Sequence, residues 1–252
     1  DVVVRIEAAP INPSDMGPSF GPASMDQASM DQASMDGTGD GAKLVAPVPE
    51  NRMGMVAARL GQTLPVGNEC AGTVVATGDS PAAQALDGKL VSIMPGAAYA
   101  QFACVPAATC LVHNDTTSPQ RAASSFVNPL TALCFLETMR MENHKAIVHT
   151  AAASNLGQML VRLCQVEDVP LVNIVRTQEQ ADILTGLGAK YVCISSDNDF
   201  MGKLTEILVE TGATLGFDAI GGGKMGSDIL TAMERAASRN ASGLNTYGSS
   251  QL

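Results

Sequence analysis

The 252-residue sequence is short of basic residues: 15 Lys and Arg stand against 25 Asp and Glu, for a formal net charge of −10. No cluster of Lys or Arg interrupts that excess, so neither nucleic acid nor an anionic membrane is expected as a main partner. Apolar runs of eighteen or more residues are missing too, which excludes a membrane-spanning helix. The six cysteines form no Cys-x-x-Cys pair, and several sit inside apolar runs. Reduced, buried thiols in a reducing compartment, the cytoplasm, are therefore expected rather than a disulfide framework. No Ser/His/Asp set, carboxylate pair or metal-ligand cluster emerges. His149, between Val148 and Thr150, reads as a satisfied core histidine, whereas His113 and His144 lie in polar loops and carry no pattern.

What is present falls into two halves. Residues 1–115 read as β-rich, with short strands at Val2–Glu7, Gly72–Thr77, Leu90–Met94 and Ala100–Val105 separated by Pro/Gly turns. From Ser118 onward, in the half spanning residues 116–252, strands alternate with helices. Strands are expected near 146–149, 171–175, 190–194 and 214–219, and helices near 119–140, 156–167, 178–187, 199–211 and 224–238. That alternation predicts an α/β domain with a parallel, doubly wound sheet. Leu156, Met159, Leu160 and Leu163 recur at i, i+3, i+4 and i+7 and predict the core-facing stripe of their helix. Residues 23–41 stand apart: Ala-Ser-Met-Asp-Gln occurs twice, then Ala-Ser-Met-Asp-Gly. A five-residue period matches neither helix nor strand, so Met25, Met30 and Met35 cannot share a face, and a flexible surface insertion is expected. The chain opens on a strand pattern at Asp1 and stops just after a strand and turn, so it reads as an internal piece of a longer protein whose targeting signal is not legible.

The densest chemical signal begins at Lys145. The apolar strand Ala146–Val148 runs into small residues and a helix, and a second apolar strand, Leu171–Val175, ends in Arg176. This is the layout of a dinucleotide-binding βαβ unit, in which a small-residue turn lets a helix N-terminus meet a pyrophosphate. The three places of the Gly-x-Gly-x-x-Gly fingerprint hold Ala152, Ser154 and Gly157, and Ala153, Asn155 and Leu156 complete the turn. An arginine at the end of the second strand suits a 2′-phosphate, so the unit points to NADP(H) over NAD(H). An ordinary strand–turn–helix with Arg176 as a solvated loop cation is the competing reading. Phe217–Gly223 reads as a strand ending in a glycine turn. Ile220 and Gly221 either approach the nicotinamide half of the cofactor or form a plain tight turn.

Taken in order, Arg5–Asp15 (RIEAAPINPSD), Pro65–Gly78 (PVGNECAGTVVATG), Gly88–Val91, Tyr99–Phe102, Leu130–Ala132, the alanine-rich turn and Leu187–Lys190 resemble the medium-chain dehydrogenase/reductase superfamily. The resemblance is greatest to its zinc-independent quinone oxidoreductase (zeta-crystallin-like) and enoyl reductase branch, and covers nearly the whole chain apart from the repeat. It implies a GroES-like catalytic domain over 1–115, followed by a Rossmann domain over 116–252 whose C-terminal part lies beyond Leu252. It also implies a homodimer of the full-length protein, paired through a late strand.

The same resemblance implies hydride transfer from NADPH to a small quinone or activated C=C (enone) substrate. Asn12, Asn128 and Thr131 would lie near the nicotinamide ring, and the proton would come from solvent. Read without it, Asn12 before Pro13 is a turn residue, and Asn128 and Thr131 are helix caps. In the superfamily's zinc alcohol dehydrogenases three metal ligands occupy the positions that here hold Asn12, Asn68 and Val127. None is a thiolate or imidazole, so no metal site is expected and Glu69 stands as an acid without metal partners. The sequence is compatible with two other readings. One is a non-catalytic, crystallin-like NADPH-binding protein, consistent with the lack of a strong acid or base; the other is a zinc alcohol dehydrogenase.

Overall fold

The computed structural model describes residues 1–24 and 33–240, and the chain divides into two units, Asp1–Val127 and Asn128–Leu252. In the first, strands β1 (Val2–Ala8), β4 (Cys70–Thr77), β5 (Leu90–Ile93), β6 (Phe102–Val105) and β7 (Leu111–Val112) form an antiparallel sheet in the order β6-β1-β4-β5-β7. Alternation along β1 buries Val2 and Val4, which join Cys70, Val74, Val91 and Ile93 in one core. Where β1 crosses β4 the backbones touch at Gly72: a Cβ there would lie 1.9 Å from the Arg5 carbonyl oxygen. Helix α1 (Pro13–Phe20) follows β1, and the short helices α2 (Pro81–Gln84) and α3 (Pro119–Ala122) complete the unit. Ala122 and Ala123 pack on Ala71, so the segment after residue 115 belongs with this sheet.

The described part of the expected flexible insertion is ordered. Ser34–Asp36 (β2) pairs antiparallel with Lys43–Val45 (β3), with a 3₁₀ turn at Gly39–Gly41 between them. Met35 therefore sits in a strand, 65% exposed, while Met25 and Met30 lie outside the described residues. The glycines that suggested flexibility serve the turn: Gly37 and Gly39 adopt φ of +81° and +64°, open to glycine at little cost.

The second unit is a doubly wound sheet. Helix α4 (Val127–Met141) is followed by β8 (Ile147–His149), α5 (Asn155–Val166), β9 (Leu171–Val175), α6 (Gln178–Gly186), β10 (Tyr191–Ile194), α7 (Phe200–Thr211), β11 (Leu215–Phe217) and α8 (Met225–Asn240). The strands are parallel in the order β10-β9-β8-β11. Val148, Val172, Ile174 and Cys193 face α7 and α8 through Leu204, Leu208, Ile229 and Met233. Ile147, Leu171 and Val175 face the other way, toward Leu136, Leu160 and Leu184. Phe135 stacks on Phe217 with ring centroids 3.7 Å apart. No helix among the described residues is long and apolar enough to cross a membrane.

Two expectations need correction. The helix foreseen over 119–140 is two helices, because the chain turns between Ala122 and Val127. There Ser125 Oγ donates to the Ala122 carbonyl (2.6 Å) and the buried Glu69 carboxylate accepts the amides of Phe126 (2.7 Å) and Val127 (3.0 Å). The buried face of α5 is Gly157, Leu160, Val161 and Cys164, with Leu156, Met159 and Leu163 only partly covered. The stripe is rotated because Gly157, too small to count as apolar in a periodicity, is the point at which the helix meets the turn before it.

Candidate cofactor site

In the second unit β9 and β10 lie on one side of β8 and β11 on the other, so the order reverses between β8 and β11. The carboxyl ends of such strands are where open α/β sheets receive ligands. The turn leaving β8 is built for close approach. Ala151 takes a left-handed backbone (φ +51°), an uncommon conformation for a residue with a side chain. Ser154 caps α5, its Oγ accepting the Gly157 amide at 3.1 Å. A Cβ on Gly157 would lie 2.1 Å from the Ala152 carbonyl oxygen, so only glycine lets the helix start this close to the turn. The remaining first-turn amides of α5 have no partner within the helix, and with the helix dipole they favour an anion.

A cavity of about 510 Å³ opens at this edge. Of the residues singled out by sequence, Ala153, Ser154, Arg176 and Ile220 line it. Ala152 and Gly157 lie buried beneath, and Asn155, Leu156 and Gly221 do not form its wall. The Arg176 backbone is fixed: its amide donates to Gln180 Oε1 (2.9 Å) and its carbonyl accepts from Ser196 Oγ (2.8 Å). Its guanidinium makes no hydrogen bond or ion pair with any described residue. Sequence reading missed Ala151, Gln180, Ser195 and Met225 on the wall. Ser195, directly after β10, could have been found by extending the strand-end rule to the third strand. Gln180, the third residue of α6, closes a Thr177-x-x-Gln180 capping box, a signal visible in the sequence.

The other predicted residues lie elsewhere in their own units. Asn12 is buried at the start of α1. Its Nδ2 donates to Glu69 Oε1 (2.9 Å) and its amide to Asp15 Oδ2 (2.8 Å), while the other Asp15 oxygen accepts the Asn68 amide (2.9 Å). Glu69 is thus a fully buried carboxylate satisfied by three N–H groups, which is how a charge is tolerated without water. Asn68 Nδ2 donates to Ser14 Oγ. Near Asp15, burial first and the acid second push the Tyr99 hydroxyl above its ordinary pKa. Asn128 and Thr131 lie in the first two turns of α4, half-buried and three residues apart on one face.

His149 is buried and bonded to Asn173 Oδ1 through Nε2 (2.8 Å), as a core histidine should be. Burial holds its pKa down at about 4, against the hydrogen bond to Asn173, which raises it. All six cysteines are free. Burial lifts Cys70 and Cys193 to about 11 and Cys164 to about 12, which makes them inert, while Cys104 and Cys134 are exposed. A second cavity, about 340 Å³, lies at the opposite, amino ends of β9 and β10 around Cys164, Asn173 and Lys190.

No protein-family model matches the chain. It is 26% identical over 161 residues to a protein of Schizosaccharomyces pombe described as a probable quinone oxidoreductase, covering 62% of this chain and 47% of that one. It is 30% identical over 112 residues to a mitochondrial enoyl-[acyl-carrier-protein] reductase of Arabidopsis thaliana, covering 40% of this chain and 28% of that one. Among solved structures, one assigned to an NADPH:quinone reductase of Mesorhizobium loti matches 92% of this chain and 59% of its own, with 29% identity and a TM-score of 0.67. The CurK enoyl reductase, at 18% identity and a TM-score of 0.68, shares the fold. The chain spans about half the length of the first of these relatives and less than two thirds of each of the others. In sequence the chain is thus similar to proteins described as quinone oxidoreductases and enoyl reductases, and it shares their fold.

Proposed function

We propose that the chain is the cofactor-binding and ring-facing part of an NADPH-dependent oxidoreductase acting on a quinone or an activated alkene. The observation that carries this reading is the cavity at the carboxyl edge of β8, β9 and β10. It joins a helix N-terminus, kept within reach by Gly157, to an Arg176 guanidinium that bonds to none of the described residues. The chemistry of these residues fits NADP(H): Ala153 and Ser154, at the α5 N-terminus, would hold the pyrophosphate, and the Arg176 guanidinium would supply a charge-assisted donor for the 2′-phosphate. Bound NADPH supplies the hydride, and the protein supplies orientation and a dry, shaped wall. Names of relatives support the reading, since quinone and enoyl reductases recur among them.

Asn12, Asn128 and Thr131 are assigned to orienting the nicotinamide end. For Asn12 the geometry is already selective: with Nδ2 held by Glu69, the amide cannot flip. No member of that trio is a strong acid, so the proton for the reduced substrate is assigned to solvent. The positions matching a zinc shell hold two amides and a valine, which do not fit a catalytic zinc. No step is therefore assigned to one.

Titrating the 252-residue chain with NADPH and NADH tests the assignment. NADPH should bind at least about tenfold tighter, and Arg176→Glu should remove that preference while changing NADH affinity little. Equal affinities for the two nucleotides, unmoved by the substitution, would end the NADP assignment. Tight NADPH binding without turnover of a simple ortho-quinone in a full-length form would favour the non-catalytic reading.

A further inference from the structure

The two rims of the cavity follow different strands, yet the side chain of one residue, Thr150, ties them together. Thr150, buried at the end of β8, donates its hydroxyl to Asp218 Oδ1 at 2.8 Å, just beyond β11. The same hydroxyl oxygen accepts the Ala219 amide at 2.8 Å, and Asp218 Oδ1 also accepts the Ile220 amide at 3.0 Å. A backbone bond from the Thr150 amide to the Phe217 carbonyl (3.1 Å) closes the pair. Immediately after Thr150 comes Ala151 in its left-handed conformation, and two residues after Asp218 comes Ile220. Both line the cavity.

We infer that Thr150 and Asp218 form a latch that positions the cofactor cavity, holding the Ala151 rim and the Ile220 rim at a fixed separation. This rests on the cavity being the NADPH site. Neither residue lines the cavity, so both act through neighbours: they are positioning residues. Left-handed alanine costs free energy and persists only where the surroundings over-determine it. Here the latch supplies that constraint on one side and Ser154, whose amide donates to the Ala151 carbonyl (2.9 Å), on the other. Ile220 is 59% exposed and has little packing of its own, so its place depends on the turn that Asp218 organises. A rim held in place before the ligand arrives spares the ligand the cost of ordering it.

The test compares Thr150→Val with Thr150→Ser in the 252-residue chain. Valine keeps the shape and removes the hydroxyl, whereas serine keeps the hydroxyl. Thr150→Val should weaken NADPH binding by about tenfold, from lost preorganisation and an abandoned carboxylate bond, with Thr150→Ser restoring it to near the parent value. Independently of any nucleotide, amide hydrogen exchange at Ile220 should accelerate in Thr150→Val. The Ile220 amide does not touch Thr150, so faster exchange there reports transmission through Asp218. Unchanged exchange at Ile220 overturns the latch. Faster exchange with undiminished NADPH affinity overturns its role in the cavity. If the parent chain fails to bind NADPH at all, the proposed function falls, and the Ile220 exchange still decides whether the latch exists.

Discussion

His149 shows how much a single buried side chain can fix. Asn173 Nδ2 donates to the carbonyls of Leu171 (3.1 Å) and Tyr191 (2.9 Å), so its Oδ1 must face the imidazole and His149 must carry its proton on Nε2. With the folded pKa near 4 and the unfolded value near the ordinary 6.5, the unfolded chain takes up a proton in that window that the folded chain refuses. The contribution is complete above the unfolded value and is lost as pH falls from about 6.5 toward 4. Between pH 7 and 5 it amounts to about 2 kcal/mol. His149→Leu should be less stable than the parent at pH 7, because Asn173 loses its donor, and the gap should narrow by about 2 kcal/mol at pH 5 in urea unfolding. A gap of the same size at both pH values would mean that His149 is not held neutral. At this scale the sequence was legible where chemistry sits in the residue itself: a histidine in an apolar strand, an arginine at a strand end. It was silent where the backbone matters, as at Ala151, whose letter says nothing of its torsion.

Helix α5 is anchored by a close backbone approach at its first turn. Gly157 lies so close to the Ala152 carbonyl that a methyl cannot be accommodated without moving backbone, and the helix carries Leu160, Val161 and Cys164 into the core behind it. Gly157→Ala should destabilise the chain by about 2–3 kcal/mol, the cost of overpacking where the neighbour is main chain rather than a flexible side chain. Chemical denaturation would measure it, and NADPH affinity should drop alongside as the first turn of α5 backs away. Parental stability would show that the helix slides freely along the turn. Elements with strong periodicity were readable, β9 and α6 to within a residue. The break between α3 and α4 was not, because it depends on Glu69, dozens of residues upstream, accepting the amides of Phe126 and Val127. Likewise the β2–β3 hairpin hides behind a repeat whose period matches no element.

At the scale of the whole molecule, a net charge of −10 would confront the polyanionic dinucleotide proposed above. The acidic surface opposes the nucleotide at long range, and the proposed attraction is confined to the α5 N-terminus and Arg176. Salt shortens both reaches, but in the proposed assignment the extra phosphate of NADPH pairs with a single exposed guanidinium, so its advantage should be the more sensitive. Raising NaCl from about 20 to about 300 mM, which cuts the screening length from roughly 20 Å to under 6 Å, should shrink the preference for NADPH over NADH. A preference that is flat across that range, followed by titration, would place the selectivity in uncharged contacts instead. The two-part organisation was visible in the change from strand-rich to alternating sequence. The order β10-β9-β8-β11 was not legible, because nothing local tells β11 to return beside β8. Finally, the left-handed alanine after β8 bears on how distant members of such a group are found. A pattern that insists on glycines discards this chain at once, whereas a search for the torsion sequence of the turn, blind to which residue adopts it, would retain it.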